Sequence, residues 1–481
     1  MQLVYKPSDK PGWGKTLVFA IQQVLAILAA TIVVPVIINS SDAGVAVGAQ
    51  LSQSAALFGA GVGTLVYLLF TKFKSPVFLG SSFAFIGSMC AAFAGAASAS
   101  VGYIGIIIGA FFAGLVYVAI SFIVKYAGTS WIEKVMPAAV IGPTVAVIGL
   151  SLAGNAIGDL FKGSVTVPKL EWVIKEGLPV QVVNYVPTAN VFIALLCGLV
   201  TLFTTIACSV YGKKMLKMIP FIIGICAGYL VATIFTVIGH IADAPALQVI
   251  NFGLFKSMQW LPEFTFVKAF EGFKHLDGFG AYVGTVAVAY VPVAFVVFAE
   301  HLADHKNISS IIEADLLKDP GLDKTLLGDG VGSMVGAFFG GCPNTTYGES
   351  VGCVAISGNA SVITIVTAAI MCILASFFAP FVTFLATIPS CVMGGVCVAL
   401  YGFIAVSGLK MIQKVDLEDN RNLFVVSVIL IAGVGGMVLN IGKVTVTSVA
   451  CALILGILTN VLTHWKKDEK EEAPEEVTPA E

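Results

Sequence analysis

Glu300 closes the apolar run Tyr290-Val291-Pro292-Val293-Ala294-Phe295-Val296-Val297-Phe298-Ala299, and His301, Asp304 and His305 follow it directly. On a helix Asp304 stands one turn beyond Glu300 and on the same face. A carboxyl group within an apolar span is energetically expensive and marks a cavity or a partner, so Glu300 is a candidate for binding a proton or a polar solute. Position alone leaves open a helix-end charge in contact with solvent. Glu349 follows Thr345-Thr346-Tyr347-Gly348 in a stretch punctuated by Pro343 and Gly348. A carboxylate on a newly starting half-helix accepts hydrogen bonds from ring N–H groups, while main-chain N–H groups beside it donate to carbonyl oxygens. The plainer alternative is a carboxylate that only stabilises a helix start. An i, i+4 pair such as His301 and His305 with nearby carboxylates can also bind zinc. The polar stretch Lys306-Asn307-Ile308-Ser309-Ser310 instead suggests a wet helix end, and no metal or other cofactor is expected.

The elements that position these groups are set by composition. Of 481 residues, 58% are hydrophobic and 11% charged, and the mean hydropathy is +0.96. Soluble domains carry roughly 25% charged residues, so most of this chain faces lipid. With 26 Lys+Arg against 28 Asp+Glu, there is no concentrated basic surface for a nucleic-acid partner. The ten cysteines lie in apolar or Gly-rich stretches without a CxxC pair, and read as small packing residues. No GxxxxGKS loop occurs, which argues against an ATP-driven pump, and no Ser/His/Asp arrangement suggests catalysis. The apolar run after Lys15 continues past the length of a signal peptide and reads as a retained first span.

A spanning helix needs about 20 apolar residues, and that ruler finds about fourteen candidates. The clearest cover 17–38, 52–71, 102–124, 189–210, 218–238, 279–300, 361–386, 423–439 and 444–464. Two segments are broken alike: Pro76-Val77-Phe78-Leu79-Gly80-Ser81-Ser82-Phe83-Ala84-Phe85 and Pro343-Asn344-Thr345-Thr346-Tyr347-Gly348-Glu349-Ser350-Val351-Gly352. Irregular backbone survives in a bilayer only where protein buries it or it lines a cavity, and paired interrupted segments point to a transporter's binding site. Met136-Pro137-Ala138-Ala139-Val140-Ile141-Gly142 is echoed in the second half by Ile388-Pro389-Ser390-Cys391-Val392-Met393-Gly394. With seven spans per half, an odd number, the second half inserts upside down relative to the first. An excess of Lys/Arg, including Lys213, Lys214 and Lys217, then places both termini in the cytoplasm, with 466–481 a solvated tail.

These motifs, with Gln22, Ala29-Ala30-Thr31-Ile32-Val33-Val34-Pro35, Ala299-Glu300-His301, Asp319-Pro320-Gly321-Leu322 and Asn420-Arg421-Asn422-Leu423, run through nearly the whole chain. Together they resemble the nucleobase/ascorbate transporter family, and within it the bacterial uracil permeases. The resemblance implies an all-α polytopic fold of fourteen spans in a seven-plus-seven inverted repeat, with short extended stretches in spans 3 and 10. It implies a core domain (1–125, spans 1–4, and 278–387, spans 8–11), a gate domain (126–240, spans 5–7, and 388–465, spans 12–14) and an extracellular connection at 241–277. It further implies a homodimer in the plasma (inner) membrane that carries uracil with a proton by alternating access.

Carried over by position, Glu300 and Glu349 match the two glutamates that hold the pyrimidine, Phe83 and Gly348 fall where the family supplies ring or backbone contacts, and Tyr347 lies beside them. Three departures touch the proton path. Asp304 stands where uracil permeases have His, with His305 shifted by one; Ser350 stands where Asn is frequent; and Gln23 stands where a first-span His can occur. Glu300, Asp304 and His305 are therefore the candidate proton-coupling residues. Competing expectations are a xanthine or purine carrier of the same fold and, from another class, a channel or membrane-embedded enzyme.

Overall fold

The computed structural model describes residues 3–175, 178–213, 215–274, 279–441 and 444–464; His275 and the charged tail 466–481 lie outside them. Fourteen membrane segments follow one another, seven in each inverted repeat. Spans 1 to 7 are Trp13–Ser40, Gln53–Phe70, a broken span ending in Phe83–Ala94, Ala99–Ala127, Ala138–Leu160, Val191–Tyr211 and Pro220–Ile241. Spans 8 to 14 are Phe279–Ile312, Leu322–Gly340, a broken span ending in Gly348–Ser357, the bent pair Val362–Ser376 and Ala379–Thr387, then Ser390–Ile412, Asn420–Val434 and Ser448–His464. Among the described residues 8 helices are long and apolar enough to cross a membrane unaided, or 9 if the bent pair counts as one.

Among the described residues six strands accompany them: β1 (Leu79–Ser81), β2 (Thr166–Lys175), β3 (Leu178–Pro187), β4 (Asn344–Thr346), β5 (Leu439–Ile441) and β6 (Val444–Val446). The β2–β3 and β5–β6 pairs are local hairpins, whereas β1 and β4 come from opposite repeats. They pair antiparallel with Leu79 opposite Thr346, Gly80 opposite Thr345 and Ser81 opposite Asn344. Bonds from Ser82 N to Pro343 O (2.9 Å) and from Tyr347 N to Phe78 O (3.1 Å) extend the ladder. A broken span cannot leave its main-chain groups unpaired in a bilayer, and each broken stretch supplies the partner the other needs.

Span 2 clamps this crossing. Thr64 Oγ1 lies 2.9 Å from Leu79 N as acceptor and 3.2 Å from Leu79 O as donor, and Asn344 Nδ2 donates to Gly59 O at 3.0 Å. The crossing requires glycine at Gly63, where a Cβ would lie 2.3 Å from Asn344 Nδ2 and 2.8 Å from Gly332 O of span 9. Gly63→Val should force spans 2 and 9 apart, an overpacking penalty of about 1–3 kcal/mol or more. The expected result is loss of monodisperse protein in fluorescence-detected size exclusion; a monodisperse variant with unchanged Tm would contradict the clamp.

Spans expected at 17–38 and 102–124 fall within observed helices, and those expected at 52–71, 189–210 and 218–238 overlap helices that start one or two residues later. Others need correction. The expected 279–300 span continues to Ile312, because His301, His305, Ile308 and Ile312 form a buried stripe at helical spacing while Lys306, Asn307 and Ser310 face outward. Glu300 therefore sits within a 34-residue helix, not at a wet end. The expected 361–386 span bends by 82° at Phe377-Phe378, ahead of Pro380, which is tolerated only in a first helical turn. The last helix starts at Ser448 rather than 444, since β-branched Val444-Thr445-Val446 pairs as β6 with β5. The helix expected over 423–439 ends at Val434, before Gly435 and the left-handed Gly436.

Candidate functional site

A cavity of about 410 Å³ lies beside the β1–β4 crossing. One wall is polar and belongs to spans 8 and 10: Glu300, Ala303 and Asp304 face Gly348, Glu349 and Gly352. The facing wall is mostly apolar, with Ile141 and Val145 of span 5, Phe221 of span 7, and Phe403 and Ile404 of span 12. Ser209 and Lys217, near the turn between spans 6 and 7, also line it. An apolar slot with a few convergent polar groups is the usual form of a small-molecule site.

Each polar group has a local reason to point there. Gly348 opens the half-helix of span 10, so its first-turn N–H groups lack intrahelical acceptors. Glu349 stands in that first turn, where the helix dipole favours an anion. Glu300 and Asp304 share a face of span 8, and Thr346 Oγ1 of β4 donates to Asp304 Oδ2 at 2.9 Å. Asp304 and Glu349 line the same cavity as Glu300. An acid-rich wall facing a helix N-terminus can accept from N–H groups and donate to carbonyls.

Of the residues singled out from the sequence, Glu300, Glu349, Gly348 and Asp304 meet at this cavity. Tyr347 lies behind it, buried, donating to Ser81 O at 2.8 Å. Phe83 is partly buried, its ring 6.0 Å from Tyr401 of span 12. His305 turns away: its Nδ1 donates to His301 O at 2.8 Å, and its Nε2 lies 2.6 Å from Tyr67 Oη, itself 2.7 Å from Ser75 Oγ. Among the described residues no group of three or more His, Cys, Asp or Glu could hold a metal ion.

Two pairings were not read from the sequence. His301, fully buried, lies with Nδ1 2.7 Å from Asp329 Oδ2 and Nε2 3.0 Å from Thr325 Oγ1, tying span 8 to span 9. An ionisable residue in the apolar run Gly328-Asp329-Gly330 was the available signal. Gln23 of span 1 donates through Nε2 to Ser350 Oγ, which also accepts from Phe78 N at 3.0 Å. Asp329→Leu should strand the His301 ring and cost about 1–3 kcal/mol, read as a lowered Tm in detergent; an unchanged Tm would show that His301 is held by other means.

The sequence model of the Permease family matches residues 14–442. The chain belongs to this family. A uracil permease of Bacillus caldolyticus is 35% identical over 476 residues, covering 97% of this chain and 96% of the relative. A uracil permease of Escherichia coli (strain K12) is 34% identical, with 94% and 91% covered, and the putative pyrimidine permease RutG of that strain is 28% identical, with 96% and 92% covered. The family resemblance read from the motifs is thereby shown, and this permease is a multi-pass membrane protein. Two solved structures share its fold. The murine solute carrier 26 family member A9 anion transporter, in the inward-facing state, aligns with a TM-score of 0.60 at 12% identity, covering 96% of this permease and 69% of that chain. The transmembrane domain of the cyanobacterial bicarbonate transporter BicA aligns at 0.53 and 16% identity, covering 95% and 99%.

Proposed function

We propose that this permease is a secondary transporter, not an enzyme, which imports uracil or a closely related pyrimidine together with a proton by alternating access. One observation carries the reading: Glu300 of span 8 and Glu349 of the span 10 half-helix line the same cavity at that half-helix's N-terminus. Uracil alternates ring N–H donors with carbonyl acceptors, and this wall offers the complement. The names of the relatives at 35% and 34% identity support the same substrate.

In this mechanism Glu300 takes a proton from outside, because desolvation and the neighbouring carboxylates disfavour a further negative charge. The protonated acid donates to a uracil carbonyl, Glu349 accepts from ring N–H groups, and the amides at Gly348 and Glu349 donate to a second carbonyl. Asp304 adjoins Glu300 as the onward proton acceptor, and His305 acts from behind it through the helix. Core (spans 1–4 and 8–11) then moves against gate (spans 5–7 and 12–14), and proton release weakens uracil binding. The cavity lies on that seam and reaches Lys217. With both termini in the cytoplasm of a plasma-membrane homodimer, it is open inward.

The test is uptake of labelled uracil by purified protein in liposomes, with and without an inward proton gradient, challenged with excess uracil, thymine or xanthine. Gradient-stimulated uptake blocked by uracil is expected. Uptake indifferent to the gradient would remove the coupling, and transport of xanthine alone would keep the fold and replace the substrate.

A further inference from the structure

The half-helix carrying Glu349 is held at both ends, and its far end is held by a segment outside the region matched by the family. Residues 3–12 precede the match, which begins at 14, and lie as an arm, bridged at Tyr5 and turned at Lys6–Asp9, across the turn that joins span 10 to span 11. Their burial alternates residue by residue, as on a sheet edge. Val4 N and Tyr5 N donate to Gly358 O at 2.8 and 3.2 Å, Ala360 N donates to Tyr5 O at 2.9 Å, and Val362 N donates to Pro7 O at 3.1 Å. Ser361 Oγ donates to Asp9 O at 2.6 Å. The turn beneath, 358–362, is wholly buried.

Gly358 is the left-handed C-cap of the Gly348–Ser357 helix, so the arm grips the end opposite Glu349. That helix has 10 residues and spans about 15 Å, so as a rigid rod it transmits a shift at one end to the other. On its other side the arm borders an open groove of about 540 Å³ lined by Lys6, Pro7, Phe73, Lys74 and Asp319. In the opposite repeat the segment before span 8 packs Gly272 on Ser100 at the start of span 4, where a Cβ would lie 2.7 Å from the Ser100 carbonyl.

We propose that residues Val4 to Asp9 are a positioning strap for the substrate site, fixing the half-helix so that Glu349 and the Gly348 amides meet the ligand in register. The strap rests on the uracil reading of that site. Full-length protein and a variant lacking residues 2–9 are compared by titration calorimetry with uracil. The deletion should raise Kd about tenfold at unchanged stoichiometry, since preorganisation of the site is lost. A scaffold role alone would lower the number of binding sites at unchanged Kd, and that result overturns the proposal. Should the deletion not fold, Ser361→Ala removes a single bond and should still raise Kd two- to threefold, about the effect of one weak hydrogen bond; an unchanged Kd there overturns it equally. If the wild type binds no uracil, the substrate reading fails separately. Amide exchange at Gly348–Val351 then decides the strap without ligand: faster exchange in either variant is expected, and identical protection sinks it.

Discussion

Glu349→Gln is expected to abolish uracil uptake. In the proposed complex the carboxylate accepts from ring N–H groups; an amide of nearly the same shape turns a donor toward a donor. Loss of a charge-assisted bond and stranding of a buried donor together amount to about 3 kcal/mol, or about a hundredfold in affinity. The measurement is the Kd for uracil alongside initial uptake rate, with monodispersity as the folding control. The variant should remain folded, because Glu349 faces the cavity and the half-helix is anchored by other groups: Ser350 Oγ by Gln23 and Phe78, and Gly358 by the arm. Near-normal uptake by a folded Glu349→Gln protein would remove this residue from the site.

Glu300→Gln is expected to separate binding from coupling. An amide donates much as a protonated acid does, so uracil affinity should change by no more than about threefold, below 1 kcal/mol. It cannot release a proton, so substrate-driven alkalinisation outside proteoliposomes should vanish. The pH dependence follows with a definite sign. Wild-type uptake should rise as the outer pH falls, because the proton is a co-substrate taken up from that side, whereas the Glu300→Gln profile should be flat. Parallel loss of binding and transport would reject this division of labour between the two glutamates, and retained alkalinisation would move the proton to Asp304.

Glu300, Asp304 and Glu349 line one cavity, while Asp329 is paired with His301 behind it. The sequence showed Glu300, Asp304 and Glu349 plainly, because each interrupts an apolar or Gly-rich run. Their convergence was not visible from spacing, since β1 and β4 must first cross. His301 and Asp329 stand 28 residues apart, Gln23 and Ser350 stand 327 apart, and no local pattern joins them. The orientation of His305, a coupling candidate from its place beside Asp304, was likewise not legible: its ring faces span 2 and Tyr67.

The extent of span 8 was misread for a related reason. Lys306, Asn307 and Ser310 lower the local hydropathy, and a window average cannot distinguish a helix that leaves the membrane from one that becomes amphipathic against its neighbours. The buried stripe of His301, His305, Ile308 and Ile312 has helical spacing, so the signal was present but was polar in half its members. By itself the sequence determined the membrane class, the number and order of spans, the two broken segments and the family, because hydropathy and Pro/Gly interruptions act locally and survive without partners. Only the tertiary structure decided which carboxylates share a cavity, which histidine is turned away, and what holds the Glu349 half-helix from behind, because those outcomes depend on main-chain groups that had to find partners across the two repeats once no water was there to satisfy them.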